Sequence, residues 1–184
     1  VVPKVACTGR RPPLHLDPPQ QTPYRAALNR LLTAERVALL EPMVRQTVRA
    51  ALAPLVARGE AVLCGEFGSR FPVEVFAHWM NLDDGLTARL MNAGPVFIRA
   101  VQAFDNAAMK DTSYVLYDMA RELIAQRKAQ PMPKDDDPVS ALLAQRVADE
   151  GGQEAPLPDE MIVGTVRQVL VVGIVAPMVM VGSM

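Results

Sequence analysis

LPDEMIVGTVRQVLVVGIVAPMVMVGSM, Leu157 to Met184, is the stretch on which the fold turns. Asp159 and Glu160 stand where a helix would begin, and acids suit its positive N-terminal end. From Val169 to Met184 the chain is apolar for sixteen residues, with Pro177 in the middle. That is short of a comfortable membrane span, and a proline interrupts it. A helix apolar all round needs partners on every side. The stretch therefore predicts a buried central helix, with part of its surroundings supplied by sequence outside these 184 residues.

Working outward, the pattern is almost wholly helical. Val1 to Gln21 is rich in proline and arginine and reads as an irregular approach segment. Thr22 then Pro23 predicts a hydroxyl N-cap with proline at the first helical position. A short connecting helix is expected over 33–40. Another begins at Pro42, with Val44, Val48, Ala51 and Leu55 on one face; Pro54 should bend it or end it early. Ala61–Cys64 (AVLC) reads as the one strand. A helix over Phe71–Leu82 follows, then a turn at Asp83-Asp84-Gly85. Helices are expected at about Leu86–Ala103 and Ala107–Gln130, the second buried along Leu116, Met119, Ala120 and Leu123. Pro131–Pro138 is a loop that closes with Asp137 as cap and Pro138 as first helical residue. Asp149–Pro158 is a polar connector.

Nineteen basic against twenty acidic side chains, net −1, give no basic face for nucleic acid. Two cysteines, Cys7 and Cys64, are too few for a disulfide framework, so a reducing cytoplasm is the expected compartment. No signal peptide is read at Val1–Cys7. Cys7, Cys64, His15 and His78 lack zinc-ligand spacing. Asp135-Asp136-Asp137 lacks the alternating oxygens of a calcium loop.

Three segments, in this order, resemble bacterial cytochrome P-450 enzymes, the haem-thiolate monooxygenases. RPPLHLDPPQQTPYRAALNRLLT (Arg11–Thr33) is similar to the family's DPP turn and the helix whose arginine reaches a haem propionate. ARGEAVLCGEFGSRFPVEVFAHWMNL (Ala57–Leu82) is similar to its Gly-acidic strand and following helix. SYVLYDMARELIAQRKAQP, DDPVSALLAQRV and LPDEMIVGTVRQVLVVG are similar to its amphipathic helix, acidic cap segment and central helix over the haem. HLDPPQQTPYR and VVGIVAP look most like self-sufficient members fused to an FMN and iron–sulfur reductase. The resemblance implies a mainly α, partial cytochrome P-450 fold, with 1–184 as a partial haem domain ending within the central helix.

The resemblance assigns Arg25 to a haem propionate, which a forked guanidinium suits. Gln21 stands where many relatives have histidine. An amide still donates to a propionate but carries no charge. Val172, Gly173 and Ala176 fall on the haem side of the central helix, and Val171, Val175 and Phe97 on the substrate pocket. Many relatives read Ala/Gly-Gly-x-Asp/Glu-Thr there, the acid and alcohol delivering protons. Here the acid and alcohol positions are Val175 and Ala176, so protons must come through water, substrate or other residues, or the oxidant is peroxide. Gly173 leaves room for backbone approach to a flat macrocycle. Pro177 predicts a local distortion that opens a groove. The thiolate ligand, which the family places late after a Phe-x-x-Gly motif, is absent here, so no iron ligand is read in this chain.

The implied function is a haem b monooxygenase, active when complete rather than as this fragment. It would insert one oxygen atom from O2 into a small apolar or aromatic substrate by hydroxylation or O-dealkylation. A reductase or ferredoxin would supply electrons, and no nucleic acid or membrane would be involved. The alternatives are a peroxide-driven haem-thiolate enzyme and a non-catalytic, all-helical ligand-binding module.

Overall fold

The computed structural model describes residues 10–148 and 152–182. Its elements run in the order α1 (Thr22–Asn29), α2 (Ala34–Ala38), α3 (Glu41–Arg58), a π-helical turn (Cys64–Gly68), α4 (Phe71–Trp79), α5 (Asp84–Gln102), α6 (Asn106–Ala129), α7 (Pro138–Ala144), β1 (Arg146–Ala148), β2 (Glu154–Pro156) and α8 (Asp159–Gly182). The protein is mainly α, as expected. It divides into two compact bodies, one of Val1–Thr33 with Lys110–Val169, the other of Ala34–Met109 with Leu170–Met184. The division falls inside α6 and α8.

In the first body α1 packs on α7. Tyr24, Ala27 and Leu28 are the buried side of α1, and Val139, Ala141 and Leu142 that of α7. The stripe expected on α6 is fully buried: Leu116, Met119, Ala120 and Leu123 are at most 1% exposed. Each large apolar side chain so buried contributes about 1.5–3 kcal/mol. Asp137 caps α7 as expected, its Oδ2 accepting the Ser140 N–H at 2.7 Å. Its Oδ1 accepts from Arg127 Nε at 3.0 Å, with both side chains buried. Asp135 of the same loop pairs with Arg30 at 3.0 Å.

In the second body α4 packs on α3 and α5, around Val73, Ala77, Met80, Leu86 and Leu90, all at most 3% exposed. Two glycines let α8 approach closely. A Cβ at Gly94 would stand 2.5 Å from Ile174, and one at Gly173 2.1 Å from the Phe76 ring. Both sites admit only hydrogen, so α5 and α4 rest directly on the Leu170–Gly182 part of α8.

Several local expectations are corrected. Gln21, not Thr22, caps α1, with φ −77°, ψ −22° and no side-chain cap bond. The preceding segment is already coiled (Gln21 N–H to Asp17 O 3.1 Å, Thr22 N–H to Pro19 O 3.1 Å), so helical backbone begins one residue early. The α3 helix runs one turn past Pro54 and ends at Gly59 in the left-handed conformation, φ 79°. Pro54 therefore does not end the helix early.

Ala61–Cys64 is not a strand. Arg58 donates from one terminal nitrogen to both Glu66 oxygens at 2.7 and 2.6 Å, and Glu66 Oε2 accepts the Val62 N–H at 2.7 Å. A side chain thus takes the N–H that a ladder would need, and the chain closes into the π-helical turn. Asp83 starts α5 at once by accepting the Leu86 N–H at 2.7 Å, so Gly85 lies inside the helix rather than in a turn. The strands are instead β1 and β2, paired antiparallel with Val147 opposite Ala155.

Candidate functional site

Arg25 is exposed on the first turn of α1. Its Nε donates to Gln21 Oε1 at 3.3 Å, one turn back. The two residues assigned to the propionate are therefore together. The bond through Nε orients the guanidinium while its terminal nitrogens lie at the exposed end of the side chain, as carboxylate recognition requires. On these grounds α1 fits a propionate-bearing group.

The residues assigned on α8 separate by face. Val172 is 53% exposed; Ala176 is also exposed, one turn on. Val179 and Met180 continue that stripe at 56% and 67%. It is an apolar face of small and branched side chains, suited to a flat apolar group. Val171 is buried and Val175 half-buried, again one turn apart. Phe97 is half-buried on α5, one turn beyond the Gly94 contact with Ile174. Gly173 behaves differently: the space beside it is filled by Phe76, which gives it a packing role within the second body. The helix assignment is continuous through Pro177 to Gly182, so the proline does not end the helix. Cys64 is exposed, and Cys7 lies outside the described residues. Among the described residues no three His, Cys, Asp or Glu side chains gather as metal ligands.

A second cluster was not read from the sequence. Arg10 and Arg11 lie against α8 at Gly164, where a Cβ would stand 2.1 Å from the Arg10 carbonyl oxygen. Arg11 donates from a terminal nitrogen to His15 Nε2 at 3.2 Å. Because guanidinium only donates, Nε2 is the accepting nitrogen and the imidazole proton sits on Nδ1. Burial, then the Arg11 and Arg167 charges, lowers the His15 pKa and keeps the ring neutral. Arg167, 2% exposed on α8, donates to Ser113 Oγ at 2.8 Å and lies 5.7 Å over the Tyr117 ring. The signal was two arginines and a histidine within six residues, Arg10 to His15, which the proline-rich setting had marked only as irregular.

No protein-family profile matches the chain. Among curated proteins it is similar to vitamin D(3) 25-hydroxylase of Pseudonocardia autotrophica, 28% identical over 159 residues, covering 86% of this chain and 37% of that one. A Mycobacterium marinum cytochrome P-450 in complex with pseudoionone superposes with TM-score 0.74 at 19% identity, over 90% of this chain and 40% of that one. A cytochrome P-450 from Chondromyces apiculatus superposes with TM-score 0.68 at 19% identity, over 90% and 40%. The chain spans about two fifths of the length of these proteins. It has, in part, the cytochrome P-450 fold.

Proposed function

We propose that this chain is part of the haem domain of a cytochrome P-450 monooxygenase. The observation that carries the reading is the fold, shared over nine tenths of the chain with solved cytochromes P-450, with Arg25 presented on α1 at the position that the resemblance assigns to a propionate. Haem, ligated by a cysteine thiolate from elsewhere in the protein, would supply the oxygen-activating chemistry. Arg25 and Gln21 would hold a propionate, and Val172 and Ala176 would face the macrocycle. Val171, Val175 and Phe97 form an apolar wall for a small apolar or aromatic substrate and keep bulk water out. Gly173 serves the packing of α4 on α8.

Neither Val175 nor Ala176 carries a group able to hold a proton, so protons would arrive through ordered solvent, the substrate or other residues. Electrons come from a reductase or ferredoxin, and the likeness of His15–Arg25 to the self-sufficient group points to a fused FMN and iron–sulfur donor. Hydroxylation or O-dealkylation in the cytoplasm is the resulting activity. The α8 helix is long and apolar enough to cross a membrane, but half of it is buried within the protein, which supports a core helix instead. The missing acid–alcohol pair favours a second reading, a peroxide-driven enzyme of the same type.

The test is the absorbance spectrum of the intact protein, reduced with dithionite under carbon monoxide. A strongly red-shifted Soret band is expected from thiolate-ligated haem. No haem band in folded, intact protein would overturn the monooxygenase reading and leave a ligand-binding module. Turnover with hydrogen peroxide matching the reductase route would select the second reading.

A further inference from the structure

The sequence holds ten methionines, of which all but Met184 lie among the described residues. Met80 and Met119 are core side chains at 0% and 1% exposure. Met180, in the last turn of α8, is 67% exposed; every other described methionine is buried or half-buried. Met180 follows Ala176 by one turn and Val172 by two, so helical spacing sets it at the end of the stripe that those residues begin. Val179, 56% exposed, lies beside it there. Met178, two positions back, is half-buried. The helix therefore turns one thioether outward and keeps its neighbour partly covered.

Methionine differs from the valines of the stripe in its chemistry. Its sulfur carries lone pairs and attacks a peroxide oxygen. An S–O bond forms, the O–O bond breaks, and a proton passes to the departing oxygen, which leaves as water. The sulfide is oxidised to a sulfoxide and hydrogen peroxide is reduced to water. Access to the sulfur decides which methionine reacts. We propose that Met180 is the methionine of this protein that hydrogen peroxide oxidises first, and that its sulfoxide weakens the hold of the α8 stripe on haem. The second half rests on the monooxygenase reading, whose peroxide-driven form uses this same oxidant; the first half does not. Met180 lies about 12 Å along the helix from Val172, so a flat group resting on Val172 and Ala176 leaves its sulfur within reach of solvent at the edge. A sulfoxide there sets a polar group against an apolar partner, where it loses the hydrogen bonds that water would give it. Enzymatic reduction of the sulfoxide restores the thioether, which makes the change reversible.

The test is a hydrogen peroxide time course on the intact, haem-loaded protein, quenched with catalase and read by peptide mass spectrometry with fragmentation to single methionines. A gain of about 16 Da is expected at Met180 about tenfold faster than at Met80 or Met119, whose oxidation waits on local opening. It should also precede the gain at Met178, and in urea the rates should converge. Equal rates in the folded protein, or Met178 oxidised ahead of Met180, would overturn the assignment. Haem retained through gel filtration reads the consequence. Met180→Gln carries a polar group without peroxide and should lose haem severalfold faster than the parent protein. Met180→Leu stays apolar and cannot take the oxygen, so it should keep haem after a peroxide dose that strips the parent. Melting temperatures of both variants separate lost haem from lost folding. Parent-like retention in Met180→Gln, or equal losses from Met180→Leu and the parent under peroxide, would overturn the link to haem. Folded protein with no Soret band would sink the monooxygenase reading, while the order of methionine oxidation would still be read from the same peptides.

Discussion

Asp137 shows how much one side chain can hold. Its two oxygens serve different masters: Oδ2 caps α7 through the Ser140 N–H, and Oδ1 receives Arg127 from α6. The cap was legible because Asp-Pro before an apolar run is a local signal. The ion pair was not, since its partner is ten residues back and only the fold aligns them. Asp137→Ala removes both and leaves Arg127 buried without this carboxylate, so a loss of about 3–5 kcal/mol is expected in urea unfolding. Asp137→Asn keeps an acceptor for the cap and should lose less. His15 gives a pH signature. Its pKa is lowered in the folded protein, so protons bind the unfolded chain more readily. Its contribution is complete above the ordinary imidazole value of about 6.5 and is lost as pH falls below it toward the folded value. Unfolding free energy measured from pH 7.5 to 5.0 should decline, and His15→Gln should flatten that slope.

At the scale of elements, most helices were readable from the sequence because their signals are local. The 3.6-residue stripe of α6, the Asp-Pro start of α7 and the acidic first turn of α8 each lie within one segment. The errors share a cause. Ala61–Cys64 has strand composition, but Arg58 and Val62 both turn to Glu66, a contact that composition does not encode. The β1–β2 hairpin was passed over although Gly151-Gly152 separates its runs, because short exposed strands lack the alternation that burial imposes. Glycines were the least legible of all. Gly164 carries no local signal, yet a Cβ there would stand 2.1 Å from the Arg10 carbonyl oxygen. Backbone cannot yield as a flexible side chain can, so Gly164→Ala should destabilise by about 1–3 kcal/mol. The check is the melting temperature together with protease sensitivity of the segment around Arg11, which should rise as the segment lifts.

For the whole molecule, the expected haem role of Arg25 makes a claim about cofactor retention rather than folding. Arg25 is exposed and its Nε donates to Gln21 Oε1, so Arg25→Ala should change stability by only about 0.5 kcal/mol. Haem retained through gel filtration should fall severalfold, and a variant that keeps its full Soret absorbance would exclude the propionate role. The sequence by itself determined the helical class, the apolar central helix, the order of segments that resembles the cytochromes P-450, and the Gln21–Arg25 spacing that puts both on one helix face. These depend on periodicity and on residues a turn apart, which any short stretch carries. Only the tertiary structure decided that Gly173 seats Phe76, that Val172 and Ala176 share an exposed stripe with Val179 and Met180, and that the Arg10 carbonyl oxygen lies at Gly164 of α8. The last pairing joins residues more than 150 positions apart, and no local pattern records a contact that is made only when α8 and the approach segment pack together.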